Sequence, residues 1–70
     1  MGKTVLRNLP WRIKREKSSY WAYYFVVDNT NRTIAVFRGV QLDPDGLSIG
    51  EAEWCANALI TAANEEHDDD

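Results

Sequence analysis

The stretch YWAYYFVVD, residues 20–28, limits what this chain can fold into more than any other. Read as a strand, it sets Tyr20, Ala22, Tyr24 and Val26 on one face and Trp21, Tyr23, Phe25 and Val27 on the other. Both faces are apolar, so both call for cover. The chain has only 70 residues. That is one domain with a thin core, since a domain of this size buries only about 60 % of its unfolded surface.

The flanking segments supply partners for this strand. In PWRIKREK, residues 10–17, Trp11, Ile13 and Arg15 alternate with Arg12, Lys14 and Glu16, the pattern of a half-buried strand. Pro10, with no N–H to give, suits its start or an edge. RTIAVFR, residues 32–38, reads as another strand, with Thr33, Ala35 and Phe37 on one side and Ile34 and Val36 on the other. The DNTN between them, residues 28–31, is hairpin chemistry, because Asp and Asn form Asx turns and tolerate left-handed backbone. The expectation is a three-stranded antiparallel meander with residues 19–28 in the centre, or a four-stranded one if KTVLR, residues 3–7, also pairs.

Residues 39–47 read as turn throughout, with Asp43-Pro44-Asp45-Gly46 as its centre. Two acids there are too few for a calcium loop. Ser48-Ile49-Gly50-Glu51 is a capping box, which starts a helix. The helix should run to about Glu66, with Ala52, Cys55, Ala56, Leu59, Ala62 and Ala63 on its apolar stripe and Glu53, Trp54, Asn57, Thr61 and Asn64 on the other side. The fold class predicted is therefore α+β: an antiparallel meander packed on one C-terminal helix, a single domain over residues 1–66 with a disordered acidic tail at 67–70.

Charge is unevenly placed. Residues 1–17 hold six Lys and Arg against Glu16, a balance of +5; residues 18–70 hold Arg32 and Arg38 against ten acids, a balance of −8. Such asymmetry fits a nucleic-acid-binding arm, or a strand and a helix end that attract one another after folding. No apolar run reaches the roughly 18 residues of a membrane span, and MGKTVLRNLP lacks a signal peptide's apolar core, so a cytoplasmic protein is expected. The lone Cys55 cannot form an internal disulfide, which fits a reducing compartment.

The chemistry-bearing residues do not assemble into a catalytic set. Cys55 sits on the apolar stripe and reads as core. His67 has no second His or Cys near it for a metal site. Glu51 and Glu53 point apart on the helix, and Gly39, Gly46 and Gly50 are too scattered for a phosphate loop. Neither an enzyme nor a cofactor or metal is expected.

A helix of roughly 17 residues is about 25 Å long and covers one face of a three-stranded sheet. Burying an aromatic side chain contributes roughly 1.5–3 kcal/mol, so leaving several in water would forfeit much of a small domain's margin. The second cover is therefore expected from outside the chain, as a copy of itself or another protein. The competing reading folds residues 1–9, with Val5 and Leu6, over that face. The partner-binding residues on the first reading are Trp21, Tyr23, Phe25, Trp54 and Trp11. Trp54 stands where a surface helix normally carries a charge; it is a binding hot spot, or it folds along the helix flank onto loop 40–47. The alternative function is single-stranded nucleic-acid binding, with Arg12, Lys14, Arg32 and Arg38 beside Trp21 or Tyr23 on one sheet face.

The order of VVDNTNRTIAVF, a turn, and GEAEWCANALITAANEE resembles small accessory proteins of tailed phages and prophages, which pair a vvDxxGrxiA hairpin with an EAxxNAxLIaaAp helix. Asp28, Arg32, Ile34 and Ala35 match the first part. Glu51, Ala52, Asn57, Ala58, Leu59, Ile60, Ala62 and Ala63 match the second. Asn31 replaces the usual Gly and Asn64 the usual Pro. The resemblance implies a gene of a mobile element and a protein that occupies a host surface, such as an inhibitor of a CRISPR or restriction complex in the host cytoplasm. It carries over no catalytic residues.

Overall fold

The computed structural model describes residues 6–41 and 45–68, with side chains to Glu65. Three strands, β1 (Arg12–Lys17), β2 (Trp21–Val27) and β3 (Thr33–Val40), precede one helix, α1 (Ile49–Asp68). The strands form an antiparallel sheet in the order β1-β2-β3, so the doubly apolar strand is central. This is the α+β meander and C-terminal helix that the sequence predicts. The expected strand at residues 3–7 lies largely outside the described residues; Leu6 and Arg7 take no strand conformation.

The helix covers one face of the sheet. Ala22, Tyr24 and Val26 of β2 pack with Trp11 and with Ala52, Ala56 and Ala63 of α1. The three alanines let the helix axis come close to the sheet, because a methyl group is all that separates the backbones. The stripe is turned slightly from the expected one. Ile60 packs on the core while Ala62 is exposed. Cys55 is half-buried.

Gly39 is the closest meeting point. A Cβ there would stand 2.5 Å from the Ile49 Cα and 2.7 Å from the Ser48 carbonyl oxygen. The residue assigned to a turn by its chemistry is in fact inside β3, paired with Ala22. It is glycine because the start of α1 rests directly on it. The turn is correspondingly shorter, and it closes with Val40 N–H donating to the Leu47 carbonyl at 3.0 Å. Leu42, Asp43 and Pro44 lie outside the described residues.

The capping box is formed as read. Ser48 N–H donates to Glu51 Oε1 at 2.8 Å and Glu51 N–H donates to Ser48 Oγ at 3.1 Å. Hydrogen bonds from Ser48 hold the Glu51 carboxyl below its usual pKa, the backbone one chiefly. At the other end α1 continues through His67 and Asp68, past the expected stop, since no Gly or Pro interrupts the ladder there. Asp69 and Asp70 lie outside the described residues.

β1 is fastened to the helix from two sides. Arg15 meets Glu53 at 3.2 Å. Asn64 pairs with both backbone polar groups of Trp11. Glu53 and Asn64 were expected to face away from the sheet. They flank the apolar stripe instead, where β1 offers each a partner.

Candidate binding surface

The face of the sheet away from α1 carries the row Trp21, Tyr23 and Phe25. Their spacing of two residues along one strand places them side by side. Trp21 and Tyr23 meet edge to face with centroids 5.0 Å apart, and Tyr23 and Phe25 stack at 6.1 Å. The helix does not reach them. Trp21 is 37 % exposed and Val36, opposite Phe25 on β3, is 48 % exposed. Among the described residues, helix cover thus meets the two-sided character of β2 on one side only.

The competing reading placed the N-terminal segment over this row. The described part of that segment goes elsewhere: Leu6 and Leu9 pack against the core on the helix side. Val5 lies outside the described residues.

Register fixes what surrounds the aromatic row. Lys14 pairs with Phe25 and Glu16 with Tyr23 on the β1 side; Val36 pairs with Phe25 and Arg38 with Tyr23 on the β3 side. Directly opposed residues in an antiparallel sheet share a face. Lys14, Glu16, Phe25, Val27, Asn31 and Thr33 line one shallow hollow there, which places Lys14 and Glu16 beside the row. Thr33 rather than Ile34 reaches this face. A register shift between Val26 and Val27 sends Ile34 to the core side, reversing the expected alternation at the start of β3.

Two of the four cations expected to line a nucleic-acid site are committed to structure. Arg12 donates to the Asp28 carbonyl at 3.1 Å and to Asn31 Oδ1. Its side chain starts opposite Val27, itself 3 % exposed, and reaches the hairpin turn. Arg32 Nε lies 3.4 Å from Asp28 Oδ2. Lys14 and Arg38 remain as the cations that flank the aromatic row.

Asp28 is the centre of the turn. Its buried carboxylate accepts from the Thr30 hydroxyl at 2.7 Å, from the Thr30 and Arg32 N–H groups at 2.9 Å each, and from Asn8 Nδ2 at 3.1 Å. These donors, the Thr30 hydroxyl foremost, hold the carboxyl far below its ordinary pKa against the opposing effect of burial. The turn needs left-handed backbone at Asn31, with φ of 69°, where Asn substitutes for glycine at small cost. Asn29 extends the network to Asn8 and Leu9, so the hairpin and the N-terminal segment are one hydrogen-bonded unit.

Trp11 is not part of any surface. It was grouped with the partner-binding residues, but it is 9 % exposed, inside the core, with Nε1 donating to the Arg7 carbonyl at 2.9 Å. Its place follows from its parity with Ile13, which also faces the helix side. Trp54 is 71 % exposed on the outer side of α1. It borders a shallow groove with Asn57, Ala58, Thr61, Ala62 and Glu65. It therefore points away from the sheet, opposite to the aromatic row.

Among the described residues, no group of three or more His, Cys, Asp and Glu could hold a metal ion, and no helix is long and apolar enough to cross a membrane. Comparison with protein-family models, with curated proteins and with solved structures found no match.

Proposed function

We propose that this protein is a non-enzymatic binding module that acts by occupying a protein surface. The observation that carries the reading is the row Trp21, Tyr23 and Phe25 on the sheet face that α1 does not cover, where Trp21 is exposed and Tyr23 and Phe25 are half-buried. Trp54 adds a further exposed aromatic, on the outer side of α1. The resemblance of the hairpin and helix motifs to those of phage accessory proteins supports a setting in the cytoplasm of an infected host and a target among host defence or regulatory complexes, CRISPR-Cas included.

The test is a plaque assay in cells whose CRISPR system restricts a phage. Expression of the wild-type chain should restore plaques, and Trp21→Ala or Trp54→Ala should lose that effect while staying folded by circular dichroism. Plaque counts equal to those with empty vector would reject this target.

One observation favours a second reading. Lys14 and Arg38 flank the aromatic row on either side, an arrangement in which bases stack on rings while cations meet phosphates. Against it stand Glu16 on the same face and the net charge of −3.

A further inference from the structure

The charges around the aromatic row are ordered in a way that one partner matches. Glu16, Tyr23 and Arg38 form a single cross-strand row, acid on β1, ring on β2 and base on β3. With strands about 4.8 Å apart, the acid and the base stand about 10 Å from one another with the ring between them. From this row we infer that the open face pairs with the same face of a second copy, about a two-fold axis parallel to the strands and passing over Tyr23. The inference rests on the reading of this face as a binding surface and names its occupant.

The geometry follows from symmetry. A two-fold axis lying in the interface along β2 exchanges the β1 and β3 sides. Glu16 of each copy then faces Arg38 of the other, and the aromatic row of one copy lies along that of its mate. Lys14 falls over Val36 rather than over another cation. The perpendicular axis would set Glu16 against Glu16 and Arg38 against Arg38. The charge pattern therefore selects the first arrangement and disfavours the second.

Packed sheets rotate by about 30° relative to one another. A residue about 5 Å from the axis then moves about 2.5 Å, within the reach of an arginine side chain. The contact is small. A face three strands wide and seven residues long spans about 14 by 23 Å, or about 320 Å² per copy, less than half the roughly 800 Å² per partner of a stable interface, so the contact is a weak, transient one. The dimer is accordingly reversible and forms only toward the high end of a protein concentration series. It leaves the two Trp54 rings on opposite outer surfaces, free for a further partner.

Sedimentation velocity over a concentration series tests this, with circular dichroism confirming that each variant folds. Wild type should dimerise, and Trp21 emission should shift to the blue as it does. Glu16→Arg alone and Arg38→Glu alone should each weaken self-association by on the order of tenfold, because each sets like charges across the axis twice. Mixing these two variants should give a heterodimer near wild-type affinity, and the double variant should recover self-association. Dimerisation unaffected by either reversal would overturn the arrangement. A monomeric wild type would overturn the pairing itself. In that event, loss of host inhibition by Trp21→Ala would leave the face as a site for another protein. Salt-sensitive binding of a fluorescein-labelled oligothymidylate would instead assign it to nucleic acid. If neither were seen, the broader reading of the face would fall as well.

Discussion

Asn64 holds Trp11 by both backbone polar groups: its Oδ1 accepts from the Trp11 N–H at 2.9 Å and its Nδ2 donates to the Trp11 carbonyl at 3.2 Å. A side-chain amide here does what a neighbouring strand would do, at the point where β1 begins and, among the described residues, has no strand partner on its outer edge. Replacing Asn64 with Ala leaves a partly buried donor and acceptor unmet. The expected loss is about 1–3 kcal/mol in urea unfolding. Asn64→Asp keeps the acceptor and loses the donor, so it should fall between the two.

Gly39 and Gly50 make opposite predictions from one measurement. A methyl group at Gly39 meets the Ile49 backbone at 2.5 Å, and neither strand nor helix can yield without separating. Gly39→Ala should destabilise by about 3 kcal/mol or abolish folding. At Gly50 no described residue lies within 4 Å of the added Cβ. Gly50→Ala should raise stability, by up to about 1 kcal/mol, through helix propensity alone.

Asp28 sets an acid limit. Its folded pKa is depressed, while in the unfolded chain it titrates near 3.9, as an approximate reference. The unfolded state therefore takes up the proton first. The stabilisation is complete above that pH and is lost as pH falls below it toward the folded value. Glu51, also depressed, adds a smaller slope of the same sign. Thermal midpoints should fall steeply below about pH 4. Asp28→Asn should be less stable at pH 7, with the gap to wild type narrowing toward pH 2. Asp28→Ala at pH 7 should lower the midpoint by on the order of 10 °C, as expected for breaking a buried network in a small domain.

Much of this architecture was legible in the sequence. Period-two alternation located all three strands, Asp28 and Asn31 marked the hairpin, and Ser48 and Glu51 marked the start of the helix. Trp11 was given its correct face but the wrong role, since alternation says which side a residue takes and not whether that side is covered. Gly39 looked like turn chemistry because no local signal separates a glycine that bends the chain from one that admits a neighbour. The shift that turns Ile34 inward is also tertiary, set by how β2 and β3 meet. That the helix would leave one apolar face without its cover could be inferred from area alone: one helix, two apolar faces. The order of acid, ring and base across it depended on register, which three separate stretches of sequence do not state.

Tyr24 carries a defect whose removal should help. Its ring is fully buried beneath α1, with the Lys17 ammonium 5.9 Å from its centroid, yet its hydroxyl has no hydrogen-bond partner among the described residues. A buried hydroxyl without a partner costs its desolvation with nothing gained in return. Tyr24→Phe keeps the ring and removes the orphan, so the expected change is a gain of about 1 kcal/mol, read by urea unfolding. Tyr23→Phe on the open face is the control, since that side chain is only half-buried, and it should change stability by less than about 0.5 kcal/mol.

The three tryptophans report three environments and can be read separately. Trp11 is 9 % exposed, Trp21 37 % and Trp54 71 %. In dilute solution, where the monomer prevails, acrylamide should quench a single-tryptophan variant retaining Trp54 most and one retaining Trp11 least. Trp54→Lys should change stability by no more than about 0.5 kcal/mol, because its ring is mostly exposed and lies outside the core cluster. Trp11→Ala should cost about 3–5 kcal/mol, which a domain of this size cannot spare, and the chain should be unfolded at room temperature. Raising the concentration should protect Trp21 selectively and leave Trp54 quenchable. Protection of Trp54 instead would place the contact between copies on the helix.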